Sequence, residues 1–377
     1  MPGRRWRGRA ALAAALLATA LSAAGEPARA DAAPPLPALC IDASTVTVSG
    51  VSSGGFLAHQ LHVARSRSIA GAGIFAAGPY ACAGTRYPAS LFRALTICSD
   101  FPDLVPFLGP PDAERSIRAA RSAEDAGAID PVSGLAGDPV LLFSGRKDAL
   151  VPSAVVSTTG EFYRAFGSGT VTFVDTVDAS HAMVTPMFGN PCDAVEPPFI
   201  NACGFDLAGA TLQHLTGPLQ PPAPPDGRIL AFDQHAFVDR NRTHGLANTG
   251  FLYVPQGCSA AAGCRLHIAL HGCRQSADLI GDAFYRNAGY NTWAEANRII
   301  VLYPQAAALT TRFLGIDLPW PNPQGCWDWW GFTGDDYATH TGPQIAALAA
   351  MIGRLAGSAA VSGSSAPGSS CDPAGGG

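Results

Sequence analysis

The sequence predicts an α/β fold: a mostly parallel central sheet flanked by helices, in a single domain. Three observations predict it. First, Val46 to Val51 is an alternating, β-branched run that ends in Gly50-Val51-Ser52-Ser53-Gly54, and an apolar stretch with Phe56, Leu57, Leu61 and Val63 follows. Strand, tight turn and helix in that order lift a serine above the edge of a parallel sheet. Second, compact apolar runs of strand length recur at 69–80, 139–144, 170–176, 228–237, 250–255, 265–270 and 298–303. Third, 377 residues at 47% hydrophobic content are enough for one large core.

Taken in order, the chain opens on a targeting segment. Arg4, Arg5, Arg7 and Arg9 precede a short apolar stretch, Ala10 to Ala24, and Ala28-Arg29-Ala30 fits a small-x-small cleavage site. Residues 1–30 are therefore read as a signal peptide, and the protein as secreted, extracellular or periplasmic. The folded domain is expected over 31–356. Residues 86–128 read as helix and loop broken by Pro102, Pro106, Pro110 and Pro111, and 205–216 as a helix. A Pro-rich stretch near 217–227 has the composition of a linker. Residues 343–355 form an apolar helix, and the Gly/Ser-rich tail 357–377 is expected to be flexible.

Composition excludes several functions. Only 14% of residues are charged, the formal net charge is -5, and no basic run occurs outside the extreme N-terminus, so no nucleic-acid partner is expected. The N-terminal apolar stretch is too short and Ala-rich for stable membrane insertion. All ten cysteines follow the targeting segment, and an even number in an exported chain points to disulfides. Cys192/Cys203 and Cys258/Cys264 are close enough to clip local loops; the other pairings stay open. No Cys-x-x-Cys supports zinc, and neither metal nor cofactor is expected.

A serine nucleophile needs a base, and the base an orienting carboxylate. His181 lies just past the β-rich run 170–176, and Asp148 lies four residues past the apolar run Pro139 to Ser144. Loops past strand ends carry the reacting groups of open sheets. Ser52, Asp148 and His181 thus stand at successive strand ends. Asp130 and Asp138 compete for the acid's place without following a strand, and Asp175 and Asp178 have a structural reading near His181. His59 and His62 belong to the helix after Ser52, facing solvent or packing. A second oxyanion donor is expected on a loop after another strand, and His271-Gly272-Cys273 follows the run 265–270.

That loop ordinarily precedes the nucleophile; here it follows by more than two hundred residues. If the chain is cut at the Pro-rich stretch and its old ends are joined, the strands fall into the order of the eight-stranded α/β-hydrolase fold. The Pro-rich stretch is then a permutation joint inside one domain, circularly permuted.

With these residues assembled, the chain resembles the single-domain, circularly permuted poly(3-hydroxybutyrate) depolymerases over residues 40 to 355. The matching segments are VTVSGVSSGGFLAHQL, FAAGPYAC, FSGRKDALVP, ASHAMVTP, LHIALHGCRQS and Gly325 to Gly331. The resemblance implies Ser52 as nucleophile, Asp148 as acid, His181 as base, and the amides of Ser53 and Cys273 as the oxyanion hole. It implies that Trp330 stands beside the active-site crevice, with Trp327 and Trp329 offering further apolar contact or core packing. It implies a serine esterase acting on the polyester or its oligomers; the chain is expected to be a monomer. The rival readings are a feruloyl or acetylxylan esterase of the same superfamily and a non-catalytic polymer- or granule-binding protein.

Overall fold

The computed structural model describes residues 33–84, 86–100, 106–258, 263–313 and 316–357. The chain divides into two units, Met1–Ala33 and Pro34–Gly377, and all the elements lie in the second. The expected signal peptide at 1–30 and the tail beyond 357 lie outside the described residues.

The first half of the unit supplies β1 (Thr47–Val51), α1 (Ser53–Ala64), β2 (Ala72–Phe75), α2 (Ala89–Arg93), α3 (Ala113–Asp125), β3 (Val140–Phe143), α4 (Ser153–Ala165) and β4 (Val171–Val174). Three short strands follow, β5 (Met183–Thr185), β6 (Asn190–Pro191) and β7 (Ile200–Ala202), then α5 (Leu207–Thr216). The second half supplies β8 (Arg228–Asp233), β9 (Thr249–Val254), β10 (Arg265–Leu270), α6 (Ala277–Ile280), α7 (Ala283–Asn287), α8 (Tyr290–Asn297) and β11 (Ile299–Tyr303). A hairpin, β12 (Leu309–Phe313) and β13 (Ile316–Asn322), precedes α9 (Pro343–Leu355).

Eight strands form the main sheet in the order β4-β3-β2-β1-β10-β11-β9-β8. Only the pairs made by β9 are antiparallel; the other pairs in this sheet are parallel. At its centre β1 lies beside β10, with Val48 opposite Ile268 and Gly50 opposite Leu270. This is the α/β-hydrolase order with its halves exchanged, as the permutation argument predicts. Successive strand residues serve opposite faces. Ile300 and Leu302 enter the core that holds α1, α4 and α9 residues, while Ile299, Val301 and Tyr303 enter the one that holds α5, α7 and α8 residues.

The segment before β1 meets the end of α9. The amides of Leu39 and Ile41 both donate to Leu355 O, at 3.0 and 3.4 Å, and Arg354 Nε donates to Leu36 O at 2.9 Å. The Pro-rich joint leads from α5 into β8 and is fastened on the way. Gln220 N donates to Asn297 Oδ1 at 2.7 Å, and Gly227 N donates to Tyr253 OH and Glu295 Oε2 at 3.1 and 3.0 Å. Its composition is that of a free linker, but its amides are captured.

Some expectations need correction. The strand expected over 228–237 ends at Asp233, whose side chain accepts from His235 N at 2.8 Å and turns the chain into a 3-10 segment, Gln234–Phe237. The strand expected over 69–80 is confined to Ala72–Phe75, because Ala76 takes a φ of 49° and breaks the extended run. His59 and His62 are fully buried, so of their two readings packing holds. His62 bridges Tyr163 OH and Asp138, at 2.9 and 3.0 Å. The expected disulfides Cys192–Cys203 and Cys258–Cys264 are present, with Cys82–Cys98 and Cys273–Cys326 besides. Disulfides persist in oxidising compartments. Among the described residues no helix is long and apolar enough to cross a membrane.

Candidate active site

Ser52 caps α1 in a conformation that L-residues avoid, φ 57° and ψ -125°. Such strain is held only where the surroundings over-determine it. Here Ser52 N donates to Phe75 O at 2.9 Å and Phe56 N donates to Ser52 O at 3.0 Å. The glycines around it are steric necessities. A Cβ on Gly50 would overlap the Gly54 carbonyl, and one on Gly54 would overlap the carbonyls of Leu270 and His271. The elbow therefore fits against β10 only with bare backbone at those positions.

Asp148 and His181 come from the loops after β3 and β4. Those loops are tied together: Arg146 N donates to Val177 O at 2.8 Å and Lys147 N to Ala179 O at 3.0 Å. Asp148 Oδ1 accepts from the amides of Leu150 and Val151, both at 2.9 Å, which aims Oδ2 at His181 Nδ1, 2.8 Å away. The carboxylate is almost fully buried, with 1% of its side chain exposed against 11% for His181. A buried carboxylate holds Nδ1–H, leaving the other ring nitrogen free to take a proton. That nitrogen, Nε2, is buried and has no hydrogen-bond partner among the described residues. The sequence's competing carboxylates are engaged elsewhere: Asp138 with His62, Asp130 with His340 at 3.2 Å, and Asp178 with Arg146 at 3.4 Å.

Ser52 and His181 line one cavity of about 330 Å³, together with Phe56, Leu150, Phe199, Gly272, Cys273 and Trp329. A Cβ on Gly272 would stand 3.3 Å from Ser52 Cβ, so the His271-Gly272-Cys273 loop directly faces the serine. The loop's amides are mostly committed. Gly272 N donates to Gln275 Oε1 at 2.7 Å, Arg274 N to Gln324 O at 2.8 Å and Gln275 N to Gly272 O at 3.3 Å. The Cys273 amide between them donates to no described residue. Ser53 opens α1, where the first N–H groups lack intrahelical partners.

Buried polar groups hold this loop. His271 Nδ1 lies 2.7 Å from Gly272 O, and its Nε2 accepts from Ala306 N at 3.1 Å. The ring is thus neutral with its proton on Nδ1, and burial lowers its pKa to about 4. Trp327 Nε1 donates to His271 O at 2.9 Å, and the Cys273–Cys326 disulfide ties the loop to the tryptophan segment.

The tryptophans divide their work. Trp329 lines the cavity and stacks on Phe56 with ring centroids 4.1 Å apart. Trp330 packs edge-on against Trp329 and meets Phe332, and Trp327 is fully buried. Among the described residues the cavity wall includes Trp329 but neither Trp327 nor Trp330. Of the three tryptophans named from the sequence, Trp329 lines this cavity, Trp330 packs directly against Trp329, and Trp327 lies in the core.

Sequence reasoning missed Asp328. Its Oδ1 accepts from the amides of Trp330, Gly331 and Phe332 at 3.1, 2.7 and 3.2 Å; Oδ2 accepts from Thr333 N and Oγ1 at 2.8 and 2.7 Å. Burial raises its pKa, opposed by these hydrogen bonds. The carboxylate fixes the turn that carries Trp329. It also missed Gln275, whose Oε1 holds the Gly272 amide while its Nε2 donates to Pro198 O and Phe199 O, at 3.1 and 2.9 Å.

No family model matches the chain. A poly(3-hydroxybutyrate) depolymerase of Delftia acidovorans is 40% identical over 327 residues, covering 85% of this chain and 61% of that protein. The chain thus spans less than two thirds of that relative's length. A polyhydroxybutyrate depolymerase of Talaromyces funiculosus is 35% identical over 337 residues, covering 86% of this chain and 93% of that protein. Among solved structures, a PHB depolymerase from Penicillium funiculosum superposes with a TM-score of 0.74 at 34% identity, covering 85% of this chain and 98% of that one. A serine-to-alanine PHB depolymerase complexed with an R3HB trimer matches equally, with a TM-score of 0.74 at 33% identity and the same coverage.

Proposed function

This chain belongs to the poly(3-hydroxybutyrate) depolymerases, and we propose that it is an exported, monomeric serine esterase that cleaves that polyester and its oligomers at Ser52. The observation that carries the reading is the 2.8 Å pair of Asp148 and His181, whose unpartnered Nε2 shares a cavity with Ser52. All these groups come from one chain, so the site needs no second copy. Export is supported by the Arg-rich, apolar N-terminal sequence and by the disulfides.

Ser52 Oγ attacks the ester carbonyl as His181 Nε2 takes its proton. Asp148 keeps the ring's proton on Nδ1 and stabilises the imidazolium. Charge developing on the carbonyl oxygen is met by the amides of Ser53 and Cys273, each worth about 3–4 kcal/mol in the transition state. His181 returns the proton to the departing alkoxide, and water, deprotonated by the same ring, releases the 3-hydroxybutyryl group from Ser52. Phe56, Trp329 and Leu150 surround the methyl-bearing repeats with apolar surface.

The test is product analysis on amorphous poly(3-hydroxybutyrate), with Ser52→Ala alongside. Release of 3-hydroxybutyrate units is expected, lost by about four to six orders of magnitude in the variant. Ferulate release from a model ester without polymer clearing would overturn the substrate assignment. Full activity in Ser52→Ala would overturn the mechanism.

A further inference from the structure

The wall of the cavity is apolar but for a few groups, and one of them has no task in the reaction just described. Arg274 follows the oxyanion loop directly and holds a left-handed backbone conformation, φ 62°. Its guanidinium lies over the Phe199 ring, 5.1 Å from the centroid, and both residues line the cavity. No carboxylate pairs with it among the described residues. Its backbone is pinned through the 2.8 Å bond from Arg274 N to Gln324 O. Among the residues of the wall, Arg274 and His181 are the ones with an ionisable side chain.

We propose that Arg274 captures the terminal carboxylate of the polyester, so that the enzyme favours cleavage near the acid end of a chain. This rests on the reading of the cavity as the polyester site. A poly(hydroxyester) carries no charge along its length; its one anion is the carboxylate at its acid end. A guanidinium over an aromatic face keeps its N–H fork available for a bidentate carboxylate pair. The chemistry also fixes which fragment the arginine holds. The acyl side of any ester bond in this polymer runs towards the hydroxyl end, and the alcohol side runs towards the acid end. When the Ser52 Oγ–acyl bond forms and the ester C–O bond breaks, the proton passes from His181 to the departing alkoxide. The fragment that leaves is a short, acid-ended 3-hydroxybutyrate unit whose carboxylate keeps its charge throughout. Arg274 thus orients the leaving group and serves as a specificity residue.

The experiment compares the 3-hydroxybutyrate trimer as free acid with its methyl ester, in the unsubstituted protein, Arg274→Gln and Arg274→Lys. The readout is the ratio of kcat/KM for acid over ester, which cancels any loss of folded enzyme. The ratio should fall by at least about tenfold in Arg274→Gln, mainly through KM for the acid, and recover much of its value in Arg274→Lys. A ratio unchanged within about twofold, with both substrates losing alike, would overturn the proposal and make Arg274 a prop of the oxyanion loop. A second arm does not depend on polyester cleavage. Inhibition of p-nitrophenyl butyrate hydrolysis by the 3-hydroxybutyrate anion should weaken by about tenfold in Arg274→Gln, and an unchanged inhibition constant overturns carboxylate capture. Failure of the unsubstituted protein to cleave either trimer, with p-nitrophenyl butyrate still turned over, would instead refute the polyester reading.

Discussion

Asp148 and Asp328 are both buried carboxylates, and their partners give them different work. Asp148 divides its oxygens between two amides and His181. Asp328 gives all of its capacity to the backbone and hydroxyl of the turn at 330–333. Asp148→Asn should keep the fold and lower kcat by about 10⁴-fold, because the amide cannot hold Nδ1–H in place; steady-state rates on p-nitrophenyl butyrate check this. Asp328→Asn should instead lower stability, by about 2–4 kcal/mol in urea unfolding, because an NH₂ group would face the N–H and O–H of Thr333. The proposed reacting residues, Ser52, Asp148 and His181, could be picked out in the sequence because their types are few and each stands just past an apolar run. Asp328 was not, because backbone amides leave no letters to match. Which of the three tryptophans would line the cavity was not legible for the same reason: side-chain direction in that segment is set by the Asp328 turn, not by alternation along a strand.

At the scale of elements, the main strands could be read from their apolar runs, while β5, β6 and β7, of two or three residues each, are too short to show a period. The pairing of Cys273 with Cys326 was equally hidden, since 53 residues separate them and sequence alone does not give connectivity. Once seen, it explains how two loops that build one cavity hold their spacing. Cys326→Ala should cost about 4 kcal/mol on chain-entropy grounds and reduce kcat more than it raises KM, since the Cys273 amide loses its anchor. Chemical denaturation and steady-state kinetics on the same preparation test both. The elbow offers a steric counterpart. Gly54→Ala places a methyl group on the carbonyls of Leu270 and His271, and should destabilise by about 1–3 kcal/mol, as overpacked cores do, while pushing the His271-Gly272-Cys273 loop away from Ser52.

For the whole molecule, buried histidines set an acid limit. His59, His267 and His271 are fully buried, and burial lowers their pKa values to about 3, about 3 and about 4. An unfolded chain protonates all three near pH 6.5; the folded protein does not until well below. Their depressed values therefore favour the fold fully above pH 6.5, and that contribution is lost as pH falls towards 4 and 3. Between roughly pH 6 and 4 the unfolding free energy should fall by about 4 kcal/mol per pH unit, close to three protons. Urea titrations across that range check it, and a slope of less than one proton would contradict neutral burial. The architecture itself was legible at this scale, because a His-Gly-Cys loop out of its usual order can be reconciled with one sheet only by exchanging the halves of the chain. The fastening of the joint was not, since proline content reports stiffness and exposure rather than which neighbours accept its amides.

The central pairing of β1 with β10 joins residues such as Thr47 and His267, whose side chains meet at 2.8 Å across a separation of 220. During synthesis, Ser52, Asp148 and His181 all leave the ribosome before the strand that Ser52's own strand lies against. A chain grown only to the Pro-rich joint holds all three side chains of the proposed triad and half a sheet, with one long edge of β1 bare. Nothing in it supplies the Cys273 amide or the carbonyls that Gly54 is shaped to meet. On the proposed mechanism, the order in which the protein is made thus withholds its chemistry until the last third arrives.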